Sequence, residues 1–334
     1  MKQDMPNTQP LLEVNNLKVG FRTDRGDVTA IEDVSFQVKA GEILGIVGES
    51  GCGKSVTSRS IMRLLPEHNS FIDSSSEILF DGKNLAQADE KTLRSIRGNR
   101  IAMIFQEPMT ALNPVFTIGW QLDEALKYHT SMNRMERRNH AIEMLRSVEI
   151  PNPEQRFFEY PHQLSGGMRQ RVVISLALCC GPELLIADEP TTALDVTIQA
   201  QILRLMDNLR KKNDTAVVLI THDLGVIAQV CDRVIVMYAG QIVETSDVQS
   251  LFTRPQHPYT RALLESIPQP GPKHHQTRLP TIEGMVPSLF ELPSGCRFQD
   301  RCACKEDQCV AEKPLLSNEV NFRKVRCFFP INES

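Results

Sequence analysis

The chain has 334 residues, with 37 Lys and Arg against 41 Asp and Glu and a net charge of −4 dispersed in both signs. That balance offers no basic footprint for nucleic acid, and 41% hydrophobic with 23% charged residues is the composition of an ordinary water-soluble fold. The opening MKQDMPNTQP lacks the apolar centre of a signal peptide, and runs such as AVVLI fall far short of the ~20 residues that span a bilayer, so the chain is expected in the cytosol, where thiols stay reduced.

In chain order, LLEVNNLKVGF and VTAIEDVSFQV alternate apolar and polar residues as half-buried strands do. EILGIVG is a nearly continuous apolar run ending at glycine and suits a strand buried on both faces. A helical pattern follows from about Ser55 to Leu65. Residues 91–180 read as mostly helical, with proline-bearing loops at 107–114 and 151–155. LLIAD (184–188) and AVVLIT (216–221) read as buried strands with a helix between them, and RVIVMYAGQIVE (233–244) as a hairpin turning at Ala239-Gly240. Beyond residue 254 the sequence becomes proline-rich with few long periodic runs, so a domain boundary is placed there: 1–254, and an extension over 255–334.

Three stretches carry chemistry. GESGCGKS (48–55) follows a strand and opens a helix, the context that the G-x-x-x-x-G-K-[ST] pattern requires. Its glycines let backbone N–H groups wrap a phosphate at a helix N-terminus. Lys54 would reach the β- and γ-phosphates, and the Ser55 hydroxyl would bind Mg²⁺. LLIADEP (184–190) delivers Asp188 to the C-terminal end of a buried strand, where ligands bind in open α/β sheets, with Glu189 placed to polarise a water. LSGGMRQ (164–170), ahead of a helix, is a second anion-binding nest, which one chain does not need for the same nucleotide.

Taken in order, these elements resemble the ATP-binding cassette (ABC) ATPases over at least residues 11–250. The resemblance implies an α/β P-loop NTPase cassette: a RecA-like core, an antiparallel β subdomain, a helical subdomain at about 91–180 and here a small Cys-rich C-terminal extension. It implies ATP and Mg²⁺, with Gly48, Glu49, Ser50, Gly51, Cys52, Gly53, Lys54, Ser55 and Val56 around the phosphates and Phe21 stacked on adenine. It further implies Ser55, Gln106 and Asp188 near the metal, Glu189 as the catalytic carboxylate, His222 as the γ-phosphate switch, and Gln106 as the link to a membrane partner. Leu164, Ser165, Gly166, Gly167 and Gln170, with Asp195 in the crossing segment TTALD, would complete the ATP site of an opposing cassette.

FQEPMTALNPVFTIGWQL (105–122) and RPQHPYTRALLESIP (254–268) resemble the peptide and nickel importer branch. That branch implies a paralogous ATPase partner, two permease subunits, an extracytoplasmic binding protein and a peripheral place on the cytoplasmic side of the bacterial inner membrane. A soluble ABC protein of repair or translation is the competing class, but no sustained heptads or second cassette support it. Five of the nine cysteines follow residue 295. The resemblance implies a four-iron–four-sulfur cluster on Cys296, Cys302, Cys309 and Cys327, with Cys304 surplus; zinc and unligated thiols are the alternatives.

Overall fold

The computed structural model describes residues 9–106, 111–191, 196–267, 281–317 and 323–331. Its strands are β1 Leu12–Thr23, β2 Gly26–Val38, β3 Ile43–Val47, β4 Ser70–Ile72, β5 Glu77–Phe80, β6 Lys83–Asn84, β7 Ile101–Ile104, β8 Leu184–Asp188, β9 Ala216–Ile220, β10 Arg233–Tyr238, β11 Gln241–Asp247 and β12 Lys324–Val325. The chain divides into two units, one holding Val38–Ile43 and Gln87–Ile220, the other Leu12–Gln37, Leu44–Ala86 and Thr221–Ser334.

In the first unit β7, β8 and β9 run parallel in that order, Ile101 opposite Leu184 and Leu184 opposite Ala216. Every residue of β8 and β9 is buried, which explains why their sequences are unbroken apolar runs. Helices Ile118–His129, Arg134–Ser147 and Gly166–Leu178 follow the expected helical stretch. Each begins at a side chain that accepts a free N–H of the first turn: Thr117, Asn133 with Glu136 in a capping box, and Ser165. Within 91–180 the sequence reading differs at β7, whose four residues are too few for periodicity to separate strand from helix.

The second unit contains the antiparallel sheet β2-β1-β5-β6, with β4 also on β1. Leu12 and Val14, then Leu17 and Val19, face its core, so the alternation changes phase at Asn16. Asn16 sits at φ +50°, and its N–H donates to the Ser35 hydroxyl at 2.8 Å; a left-handed residue within the strand re-aims the side chains that follow. The unit also holds β3, β10, β11 and β12: β10 lies parallel to β3 and antiparallel to β11, and β12 adds to β11. The expected hairpin turn is present, with Ala239 at φ +43° and Gly240 at φ +82°. Helix Pro258–Glu265 packs its fully buried Tyr259 against Tyr238 and Phe298, with ring centroids 4.7 and 5.3 Å away.

Candidate active site

In the second unit, GESGCGKS runs from the end of β3 into helix Lys54–Ile61. Gly48, Gly51 and Gly53 have φ of +151°, +79° and +103°, so the loop's path is one that side-chain-bearing residues rarely follow. A Cβ on Gly53 would stand 2.5 Å from Ile31, whereas around Gly51 the space is open, as a cradle for an anion must be. Lys54 is 5% exposed, and its ammonium donates to the carbonyls of Gly48 at 2.8 Å and Glu49 at 3.0 Å. Cys52 is buried within the loop, and burial pushes its thiol up, leaving an uncharged side chain behind the phosphate-facing backbone. Its carbonyl accepts from Gly240 N–H at 2.9 Å, which ties the loop to the β10–β11 turn. The loop geometry therefore fits a nucleotide phosphate. Phe21 lies half-buried on β1 opposite Ser70, and His222 is exposed directly before the helix that Asp223 caps.

In the first unit, β8 ends at the buried Asp188, and Glu189 turns out of the strand at φ +49°. A left-handed glutamate costs roughly 1–2 kcal/mol, a strain of the kind found where a side chain must be aimed. Glu189 N–H donates to the Ile220 carbonyl at 2.9 Å, which holds that conformation, and the Gln106 amide donates to its carboxylate at 3.2 Å. Gln106 and Glu189, 83 positions apart in sequence, are thus brought together. In LSGGMRQ, Leu164 is buried while Ser165 and Gly166 are exposed at the N-terminus of helix Gly166–Leu178, and the Ser165 hydroxyl accepts from Met168 N–H at 3.3 Å. Gln170 is fully buried and donates to the Pro190 carbonyl, which fixes the start of this helix to the turn after Glu189. Asp195 lies outside the described residues.

The cysteine expectation is corrected. Among the described residues no group of three or more His, Cys, Asp and Glu side chains is placed to hold a metal ion. Neither the four-iron–four-sulfur cluster nor zinc on Cys296, Cys302, Cys309 and Cys327 is supported. All nine cysteines are free. Cys296 and Cys302 pack against the aromatic core around Phe298, and Cys309 is buried. Burial pushes the thiols of Cys296 and Cys302 up and that of Cys327 up to about 11. The ligand set was what the resemblance implied; the packing of Cys296 and Cys302 against this core is not visible in the spacing of the cysteines.

Two residues outside the expected set touch the phosphate loop. The Tyr259 hydroxyl accepts from Glu49 N–H at 3.0 Å, and Arg301 holds the Glu49 carboxylate through both terminal nitrogens, at 2.6 and 3.0 Å. Tyr259 lies in the HPY run already singled out, but no local pattern pairs Arg301 with a residue 252 positions earlier.

With a glycine-rich phosphate loop, a buried strand ending in Asp-Glu and a serine-capped LSGG helix, the fold and site are those of an ABC-type ATPase. Residues 31–192 match the ABC transporter family, and residues 243–309 match the oligopeptide/dipeptide transporter C-terminal region. The dimeric structure of MJ0796, a bacterial ABC transporter cassette, is similar at a TM-score of 0.63 and 30% identity, covering 71% of this chain and 98% of that one. A probable peptide ABC transporter ATP-binding protein of Sinorhizobium fredii is 54% identical over 94% of this chain and 93% of its own length. The dipeptide transport ATP-binding protein DppD of Escherichia coli is 47% identical over 97% and 98%, and the oligopeptide transport ATP-binding protein AppD of Bacillus subtilis 51% over 95% and 96%. The chain belongs to the oligopeptide/dipeptide ABC transporter family as an ATP-binding subunit, and it is an ATPase.

Proposed function

We propose that this subunit hydrolyses ATP to drive uptake of di- or oligopeptides through separate membrane subunits. The observation that carries the chemistry is Glu189, held in a left-handed turn at the end of a buried strand with the Gln106 amide 3.2 Å from its carboxylate. A carboxylate so fixed orients and polarises a water for in-line attack on the γ-phosphate, and the amide holds the carboxylate's direction. The Lys54 ammonium, now on the carbonyls of Gly48 and Glu49, is the cation that the loop offers to the β- and γ-phosphates. Ser55, Gln106 and Asp188 are the residues assigned to Mg²⁺, which when bound would offset charge on the phosphates. Phe21, His222 and the exposed Ser165-Gly166 end of the LSGG helix are assigned adenine, γ-phosphate and opposing-cassette contacts in turn. Asp195 belongs to the segment linking the two sites.

The peptide assignment is supported by the match of residues 243–309 and by the named transport roles of the relatives. Residues 1–254 are assigned to the cassette and 255–334 to the extension. No helix among the described residues is long and apolar enough to cross a membrane; translocation is assigned to separate membrane subunits. In the first unit an apolar groove beside the Gln106 segment, lined by Phe105, Phe116, Trp120 and Tyr128, leaves Trp120 43% and Tyr128 77% exposed. Exposed aromatics of this kind mark a protein contact, here assigned to a permease. A paralogous ATPase is the proposed second cassette, and the assembly is placed at the cytoplasmic face of a bacterial inner membrane with an extracytoplasmic binding protein opposite. Reconstituted into vesicles with its membrane subunits and binding protein, the chain is expected to support ATP-dependent accumulation of labelled di- or oligopeptide. ATP consumption in that system with no peptide moved would contradict the peptide assignment.

A further inference from the structure

We infer that Arg301 and Tyr259 are positioning residues for the phosphate loop, which they hold through Glu49. The inference rests on the nucleotide reading of that loop. Glu49 is its second residue, and each of its polar groups is engaged. The N–H donates to the Tyr259 hydroxyl at 3.0 Å, the carbonyl accepts from Lys54 at 3.0 Å, and the carboxylate takes both terminal nitrogens of Arg301 at 2.6 and 3.0 Å. The holders are themselves fixed. The Arg301 side chain is 4% exposed and also donates to the carbonyls of Glu283 at 2.9 Å and Ile282 at 3.2 Å. Tyr259 is fully buried between the rings of Tyr238 and Phe298.

Two physical consequences follow from this arrangement. A carboxylate inside an anion-binding loop repels the phosphate unless it is neutralised, and a bidentate guanidinium neutralises it while fixing its direction. A loop already anchored at its second residue also loses less conformational freedom when its remaining N–H groups close on an anion. A contact that served stability alone could end anywhere on the cassette surface; this one ends on the loop that must wrap phosphate. The C-terminal region thereby sets the loop's readiness for ATP.

The test measures the ATP dissociation constant and thermal midpoint of the full-length chain and of Arg301→Ala, Glu49→Gln, Tyr259→Phe and the Arg301→Ala/Glu49→Gln double variant. Arg301→Ala is expected to weaken ATP binding about tenfold, inside the usual range of coupling between distinct parts of a protein. Glu49→Gln and Tyr259→Phe weaken it severalfold, and the double variant binds no worse than Arg301→Ala, because both changes break one contact. Tyr259→Phe removes one hydroxyl and keeps the ring packed against Tyr238 and Phe298, so the inference stays testable even if Arg301→Ala does not fold. Dissociation constants within twofold of the unmodified chain, with or without a fall in thermal midpoint, would make the contact structural and overturn the inference. Fully additive losses in the double variant would do the same. Failure of the unmodified chain to bind ATP would instead overturn the nucleotide reading, and this inference with it.

Discussion

At Gly48 the backbone has φ +151°, and a Cβ there would collide with the Met237 carbonyl and come within 2.7 Å of the Cys52 sulfur. Both neighbours belong to packed structure, so neither can move aside cheaply. Gly48→Ala is expected to weaken ATP binding more than tenfold and to lower the thermal midpoint by several degrees, corresponding to roughly 1–3 kcal/mol of strain and overpacking. Unchanged nucleotide affinity in that variant would show that the loop's path tolerates a side chain. The identity of this residue was legible in the sequence, because the phosphate-loop pattern is local and its glycines have a local reason. The left-handed Glu189 was not, since its conformation is held by a hydrogen bond to Ile220 on another strand. The Gln106–Glu189 contact was hidden for the same reason.

Among the elements, helix Pro258–Glu265 gives a pH prediction. His257 caps it, its Nδ1 accepting from Tyr259 N–H at 3.0 Å, and burial lowers its pKa from the ordinary histidine value to about 3. The folded state therefore keeps this ring neutral where the unfolded chain begins to bind a proton. The contribution to stability is intact above about pH 6.5 and is lost progressively as pH falls towards 3. Glu244, whose carboxylate accepts from His257 N–H at 2.9 Å, is shifted upward by burial and acts with the opposite sign. His257→Asn keeps an efficient cap and removes the titration. The fall in thermal midpoint between pH 7 and pH 5 is expected to be smaller in that variant than in the unmodified chain, and an equal fall would contradict the assignment. Elements carrying motifs were readable because strand, loop and helix signals adjoin there. The short strands β7 and β12 were not: four and two residues hold no period, and only pairing partners distant in sequence define them.

For the molecule as a whole, the legible part was the order of motifs, and the illegible part was what distant segments pack against. The cysteines illustrate the difference: the family resemblance implied a metal cluster, while among the described residues no group of side chains is placed to hold a metal, and Cys296 and Cys302 pack against the core around Phe298. The C-terminal region reads as an appendix in sequence, yet within its own unit its arginines reach the cassette strands and loop. Arg297 donates to the Ala239 carbonyl and pairs with Glu32, Arg301 grips Glu49, and Arg326 donates to the Ile242 carbonyl at 2.8 Å and pairs with Asp33 at 2.9 Å. Such buried charges persist only with partners, and so they record contacts that composition cannot. The central claim is that this chain binds ATP at the phosphate loop and hydrolyses it by means of Glu189. It is tested most directly by measuring ATP affinity and phosphate release side by side for the assembled transporter carrying either the native chain or Glu189→Gln. The expected result is unchanged ATP affinity with phosphate release reduced at least a hundredfold, the scale of losing a general base; release at the native rate from the Glu189→Gln assembly would contradict the claim.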